Sequence, residues 1–300
     1  MSAAKQTIGF VGIGNMGAPM VRCLIKAGYR VCIFDSKSEN AAPFAGEPSV
    51  TIAASLAAVA DASDTVITML PDSKVVRAVV LGVAGSPGLA DALRPGSVIV
   101  DMSSSFAPDT IALGRDLAAK NITVVDAPVS GGVPKAINGT LAIMAGGTAV
   151  DVVRVTPVLS AFGSVMPTGS IGTGHAMKAL NNYVSAAGLI ATCEALLIGE
   201  KFGLDPHVMT AVLNASTGRN NTTENKAARY LIPRTFNSGF ALALMHKDVG
   251  MAQALAVELG LEATELDFVS DYLARASAKL GATADHTAVM AYAANTTVKS

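Results

Sequence analysis

Between residues 7 and 35 the chain reads as strand, glycine turn, helix, strand and acid, an order that few folds accommodate. Thr7-Ile8-Gly9-Phe10-Val11 is a short apolar run stopped by Gly12-Ile13-Gly14-Asn15-Met16-Gly17, a GxGxxG hexapeptide. Met16 to Ala27 has helical spacing, and Gly28 stands where a helix end favours positive φ. Arg30-Val31-Cys32-Ile33-Phe34 is the next strand, and it ends at Asp35. In a chain with 28 glycines the hexapeptide alone means little. Directly after a strand and directly before a helix, it has the context of a dinucleotide-binding turn. Gly12 permits the tight turn, Gly14 lets the backbone approach a pyrophosphate, and Gly17 lets helix and strand pack closely. Backbone N–H groups from Ile13 through Asn15 and Met16, with the dipole of the helix they open, favour the anion. Asp35 follows at the spacing of a carboxylate that bonds ribose hydroxyls and repels a 2′-phosphate. The next residue is Ser36 rather than Arg, and only Lys37 offers compensation, so NAD(H) is expected over NADP(H).

Further strands are expected at Thr65 to Leu70, Val98 to Asp101, Ile122 to Asp126, Leu141 to Ala145 and, more weakly, Ser164 to Met166. Helical segments such as Lys74 to Leu81 and Thr110 to Lys120 separate most of them. Strands apolar on both faces that alternate with helices predict a doubly wound parallel sheet covered on both sides. After Gly169-Ser170-Ile171-Gly172 the strand signal stops. One long helix is expected from Gly174 to Phe202, ended by Gly203 and Pro206. Helical patterns follow at His207 to Asn214, Glu224 to Tyr230, Leu242 to Leu259, Thr264 to Leu280 and Thr287 to Ala294. The expected organisation is thus an α/β nucleotide-binding domain over residues 1–166 and an all-α domain over residues 167–300.

Charge and composition narrow the function. With 22 basic against 23 acidic residues, the chain lacks the basic excess of an electrostatic nucleic-acid binder. At 51% hydrophobic and 15% charged it is not the composition of a disordered chain. The longest stretch free of charged side chains, Val155 to Met177, is broken by Pro157, Pro167 and four glycines, so no spanning helix is expected there. Met1 to Gln6 is short and polar and resembles no targeting segment. Cys23, Cys32 and Cys193 are far apart and odd in number, which argues against disulfides or a zinc site and for buried thiols in a reducing setting, a bacterial-type cytoplasm or an organelle matrix. His175, His207, His246 and His286 show no metal spacing and read as structural or peripheral.

Three further segments carry chemical potential. Val100-Asp101-Met102-Ser103-Ser104-Ser105 and Asp126-Ala127-Pro128-Val129-Ser130-Gly131-Gly132 both sit at strand ends, where open α/β sheets bind ligands. Gly172-Thr173-Gly174-His175-Ala176-Met177-Lys178 enters the long helix, with Asn182 one turn beyond Lys178 on the same face. Hydride transfer from an alcohol needs a base for the hydroxyl proton and, in reverse, an acid. A lysine serves both ends when a dry pocket and a cationic nicotinamide favour its neutral form.

With these motifs in order, the chain resembles the β-hydroxyacid dehydrogenases, over nearly its whole length. The resemblance rests on Gly9 to Gly17, Asp126 to Gly132, Gly172 to Asn182, Phe240 through Lys247-Asp248, and the tail Asp285-His286-Thr287-Ala288-Val289. It implies that Lys178 is the catalytic lysine, and that Asn182 helps position the substrate. It implies too that Ser130, Gly131 and Gly132 bind the substrate carboxylate, with Phe240 as an aromatic wall of the pocket. Ser104 falls where many relatives carry Thr beside the nicotinamide, Leu70-Pro71 matches a loop that brushes the cofactor, and Lys247-Asp248 matches a pair near the cofactor and the lysine. Homodimers or homotetramers are implied as well.

Blander readings stand beside several of these. Ser130 could cap a turn, Asp101 and Asp126 could bond only local backbone, and Lys247-Asp248 could be a surface pair. Relatives acting on 3-hydroxyisobutyrate often have Trp where this chain has Asn221, a departure that argues against that small methyl-bearing substrate. Asn220, Asn221 and Thr222 would suit further hydroxyls or a second acidic group; alternatively the run caps a helix beginning near Thr223. The functional expectation is hydride transfer between NAD(H) and a small 3-hydroxy acid, with no metal. Imine reduction on a related scaffold and a non-catalytic cofactor-binding role are the alternatives, and Lys178 argues against both.

Overall fold

The computed structural model describes residues 6–295; of the polar opening stretch Met1 to Gln6, only Gln6 is among them. The chain divides into two compact units, Met1–Lys178 and Ala179–Ser300, so the division falls inside the long helix rather than ahead of it. In the first unit nine strands form one sheet: β1 Thr7–Val11, β2 Arg30–Phe34, β3 Val50–Ile52, β4 Thr65–Thr68, β5 Val98–Asp101, β6 Thr123–Asp126, β7 Val129–Ser130, β8 Leu141–Gly146 and β9 Gly163–Gly169. Its helices are α1 Gly17–Lys26, α2 Ser38–Ala41, α3 Leu56–Ala62, α4 Ser73–Leu81, α5 Ala107–Ala118, α6 Gly132–Asn138 and α7 Ala149–Leu159.

The strand order β3-β2-β1-β4-β5-β6 is parallel throughout, with its reversal between β1 and β4. That is the topological switch point of a doubly wound sheet, and the glycine turn after β1 sits at its carboxyl end. Alternate residues of the central strands enter different cores. Ile67, Val98, Val100 and Val125 pack on one side with Met20, Leu24 and Phe44. Val66, Ile99 and Val124 pack on the other with Val76, Val80 and Leu117. A sheet buried on both faces explains the unbroken apolar runs.

The doubly wound parallel sheet is as expected, and at its far side β8 runs antiparallel to β6 and β7 while β9 is parallel to β8. An apolar run carries no direction, and the seven-residue α6 returns the chain without the usual crossover. The sequence reading also misses β3 and β7, three and two residues long, which are too short to show a period.

The long helix α8, Thr173–Phe202, leaves the first unit and enters the second, followed by α9 Pro206–Ala215, α10 Asn221–Asn225, α11 Leu242–Glu258, α12 Thr264–Leu280 and α13 Val289–Ala294. The helix expected over Glu224 to Tyr230 is instead α10 followed by a π-helical turn, Ala227–Leu231. By length and composition alone α8 could cross a membrane. Its Ala186, Leu189, Ile190, Cys193 and Leu196 are buried instead in the helical core with Leu242, Met245, Val269 and Leu273, which makes it the core helix of this unit. All three cysteines are free and buried, as expected.

Candidate active site

In the first unit the glycine turn separates packing from ligand binding. Gly12 has φ +99°, and a Cβ there would collide with the Met69 carbonyl; one on Gly17 would collide with the Gly12 carbonyl. These two glycines are required by the fold. Gly14 meets nothing within 4 Å, so no protein contact explains the absence of its side chain. Beside it α1 opens on Met16 with no side-chain cap, whereas α3, α4 and α7 are capped by Ser55, Asp72 and Thr148. Open backbone and an uncapped ten-residue helix fit a pyrophosphate.

Asp35 ties the second strand to this turn. Its carboxylate accepts the Ile13 N–H at 2.7 Å and the Lys37 N–H at 2.8 Å. The acid and the motif that the sequence pairs by spacing are thus bonded to each other. Leu70, at the next strand end, donates its N–H to Ser103 Oγ at 2.9 Å. Buried Asp101 accepts from Thr68 Oγ1 (2.9 Å), Ser103 N (3.1 Å) and Ser105 Oγ (2.7 Å). Asp101 therefore holds the loop that carries Ser104, and Ser103 joins that loop to the one beginning at Leu70. Both loops bear residues expected at the cofactor, and Ser103 is a joint that the sequence reading does not single out.

Ser130 ends β7, which pairs antiparallel with β8, and Gly131 (φ +133°) and Gly132 (φ +67°) turn the chain into α6. Left-handed backbone at two successive positions is a glycine requirement. It leaves main-chain N–H groups as the donors of this segment, the arrangement expected for a carboxylate site.

Asp126 behaves differently from its expected local role, because the groups it bonds lie on a distant segment. It is fully buried, and it accepts the Gly172 N–H through Oδ1 (2.7 Å) and the His175 N–H through Oδ2 (2.8 Å). Gly146 has no room for a Cβ because the Asp126 carboxylate lies against it, and Gly174 has none because of the Met144 carbonyl and the same carboxylate. Burial pushes the Asp126 pKa up, against the pull of His175 and of the N–H donors. The His175 ring, also buried, bonds Thr110 Oγ1 through Nδ1 (2.9 Å) and the Ser103 carbonyl through Nε2 (3.1 Å). A carbonyl only accepts, so Nε2 carries a proton. The first turn of α8 is thus clamped from Asp126, Thr110 and Ser103, and half-buried Lys178 follows one turn after His175.

The helical unit supplies a second constellation. Asn182 is buried and donates Nδ2–H to Asp248 Oδ2 at 2.6 Å, while Lys247 Nζ lies 3.6 Å from Asp248 Oδ1. A carboxylate cannot donate, so this bond orients the Asn182 amide. Three residues singled out from two distant motifs meet here, and Asp248, being buried, is not a mere surface charge. The tail motif acts on Phe240: Asp285 accepts from Ser238 Oγ, Gly239 N, Phe240 N and Thr287 N, and His286 stacks edge-on against the Phe240 ring at 5.5 Å. Burial, then the positive charge of Lys226, lowers the His286 pKa to about 4, so this imidazole is neutral at neutral pH. Asn221 is exposed, and it is Asn220 that caps α10, accepting from Thr222 N and Thr223 N. No group of three or more potential metal ligands occurs among the described residues.

With that geometry in view, comparison with known proteins is decisive. Residues 7–173 match the model for the NAD-binding domain of 6-phosphogluconate dehydrogenase. Residues 172–293 match the one described as NAD-binding of NADP-dependent 3-hydroxyisobutyrate dehydrogenase. The chain is 36% identical to human mitochondrial 3-hydroxyisobutyrate dehydrogenase, over 84% of this chain and 76% of that one. The chain belongs to the β-hydroxyacid dehydrogenase family. Another member, the 2-(hydroxymethyl)glutarate dehydrogenase of Eubacterium barkeri, is 38% identical over 85% of this chain and 82% of its own length. Among solved structures, Mycobacterium tuberculosis 3-hydroxyisobutyrate dehydrogenase with L-serine superposes with a TM-score of 0.85 at 32% identity, over 96% of this chain and 99% of that one. As a β-hydroxyacid dehydrogenase, the chain is a nicotinamide-dependent oxidoreductase acting on hydroxy acids.

Proposed function

We propose that the protein oxidises a small 3-hydroxy acid, or reduces the matching aldehyde or ketone, with Lys178 as general acid and base. The observation that carries this reading is the placement of Lys178 between the clamped first turn of α8 and Asn182, whose amide Asp248 orients. Bound NAD(H) supplies the hydride acceptor or donor. In oxidation the neutral Lys178 amine takes the hydroxyl proton as hydride leaves the same carbon, and in reduction the ammonium returns it. Main-chain donors at Gly131 and Gly132, with the Ser130 hydroxyl, hold the substrate carboxylate, and Phe240 borders its carbon chain. The test is NAD reduction with a panel of 3-hydroxy acids, wild type against Lys178→Ala. An imine reductase or a binding scaffold has no need of this lysine as a base for an alcohol.

NAD(H) is the preferred cofactor in this reading, because Asp35 presents a carboxylate where a 2′-phosphate would lie. We expect kcat/KM for NAD to exceed that for NADP by roughly tenfold or more, the cost of one repulsive charge at a partly dry site. Asp35→Ser should narrow the ratio chiefly by raising kcat/KM for NADP. Equal use of both cofactors by the wild type would remove this assignment.

Assembly as a homodimer or homotetramer accompanies the proposal. On α8 and α9, Val184, Ile198, Phe202, Val208 and Val212 are each more than half exposed, with Phe202 at 84%. We assign these exposed apolar side chains to a contact with a second chain. Light scattering after gel filtration should report more than one chain per particle, and Phe202→Asp should lower the number; a monomeric wild type would defeat the idea.

A further inference from the structure

The helical unit holds one cation that the chemistry above leaves unused. Lys226 directly follows α10, and its side chain is half-buried. Among the described residues its amine bonds Ser185 Oγ, at 3.5 Å, and no carboxylate oxygen lies within 4 Å of it. Asp285 is the acid close enough to act on it, yet the Asp285 oxygens are committed to Ser238, Gly239, Phe240 and Thr287. Cys193, its other neighbour on α8, is buried with its thiol pKa raised to about 12, and His286 is neutral, so neither offers negative charge. Burial accordingly lowers the Lys226 pKa to about 8, which still leaves the amine mainly cationic at neutral pH. A half-buried ammonium with one long bond to a neutral hydroxyl is costly unless a ligand supplies the missing anion.

Its position says which ligand. Ser185 lies three residues past Asn182 and seven past Lys178, so the three share one stripe of α8 at i, i+4 and i+7. Asp285 is the charge that acts on Lys226, and Lys226 in turn acts on His286; these are the residues that hold and stack on Phe240. Lys226 therefore belongs to the corner that carries the aromatic wall, further along α8 than Asn182. A substrate held at Asn182 that extends along this stripe of α8 reaches Ser185 and the Lys226 amine bonded to it.

We propose that Lys226 binds a second, distal carboxylate of the substrate, and hence that the protein acts on 3-hydroxy acids that are diacids. The proposal rests on the reading of Lys178 as acid and base, and it names the substrate class of that site. It also assigns the second acidic group to Lys226 rather than to Asn221.

Two compounds form a matched pair of probes: 3-hydroxyisobutyrate carries a methyl group where 2-(hydroxymethyl)glutarate carries a propionate. Wild-type enzyme with NAD should favour the diacid in kcat/KM. Lys226→Met should cut the diacid-to-monoacid ratio by roughly 10- to 100-fold, the worth of a hydrogen bond to a charged group. Calorimetry on the NADH complex reads the same site without turnover: glutarate should bind the wild type more tightly than butyrate does, and Lys226→Met should erase the difference. A melting temperature no lower than wild type shows that the variant folds. A ratio unchanged in Lys226→Met, a wild-type preference for the monoacid, or equal binding of glutarate and butyrate overturns the proposal. Undiminished turnover by Lys178→Ala would instead sink the acid–base reading, and glutarate binding would still be decided.

Discussion

Replacing Lys178 with Ala is expected to lower kcat for 3-hydroxy acid oxidation by roughly 10²- to 10⁴-fold, the usual contribution of a positioned acid or base. NADH binding should be unaffected, because the glycine turn, Asp35 and the loop joined through Ser103 do not depend on this side chain. The pH profile separates loss of the base from loss of fold. Only the neutral amine accepts the hydroxyl proton, so wild-type oxidation should rise from neutral toward alkaline pH, and reduction should fall over the same range. In Lys178→Ala that slope should vanish along with most of the rate. Lys178→Arg keeps the positive charge but not a neutral form, so it should not restore oxidation. A wild-type profile flat across this range with chemistry rate-limiting, or a Lys178→Ala variant as active as wild type, would remove the lysine from the mechanism.

The second large effect is expected at Asp126 and should appear first in stability. Asp126→Ala leaves the Gly172 and His175 N–H groups buried without an acceptor, at about 1–3 kcal/mol for each unsatisfied donor. A total near 3 kcal/mol corresponds to a fall in melting temperature of roughly 6–12 °C for a unit of this size. Asp126→Asn should cost less. It removes the charge that burial penalises and keeps one acceptor, but its NH₂ then faces the second donor. Because the same carboxylate sets the first turn of α8, residual activity should drop in kcat more than in KM. Thermal unfolding followed by circular dichroism checks the order wild type, then Asn, then Ala. An Ala variant as stable as the wild type would mean that the clamp carries no energy.

These cases show where sequence reasoning reaches and where it stops. Lys178 and Asn182 are legible because helical periodicity places residues four apart on one face, whatever surrounds the helix. Strands β1, β2, β4 and β5 are legible because a sheet covered on both faces demands continuous apolar runs. Asp126 reads as a local strand end, and its actual partners lie 46 and 49 residues away. Asn182 and Asp248 are 66 residues apart, and their bond links two motifs that the sequence presents as separate. Lys226 has no signal at all: a lysine in a helical pattern is ordinarily solvated, and only its partial burial, with no carboxylate oxygen of the described residues within 4 Å, sets it apart.

What the sequence by itself determined is the nicotinamide-binding architecture, the family, and the lysine on which the chemistry is proposed to turn. Each depends on residues close together in the chain, where turn geometry and helical period act directly. What only the tertiary structure decided is how those residues are held. The clamp of Asp126 and His175 on the start of α8, the orientation of Asn182 by Asp248, and the partial burial of Lys226 beside Ser185 all arise from contacts between distant segments. Local sequence does not encode burial, and burial sets both the strength of a polar contact and the cost of leaving one unmade.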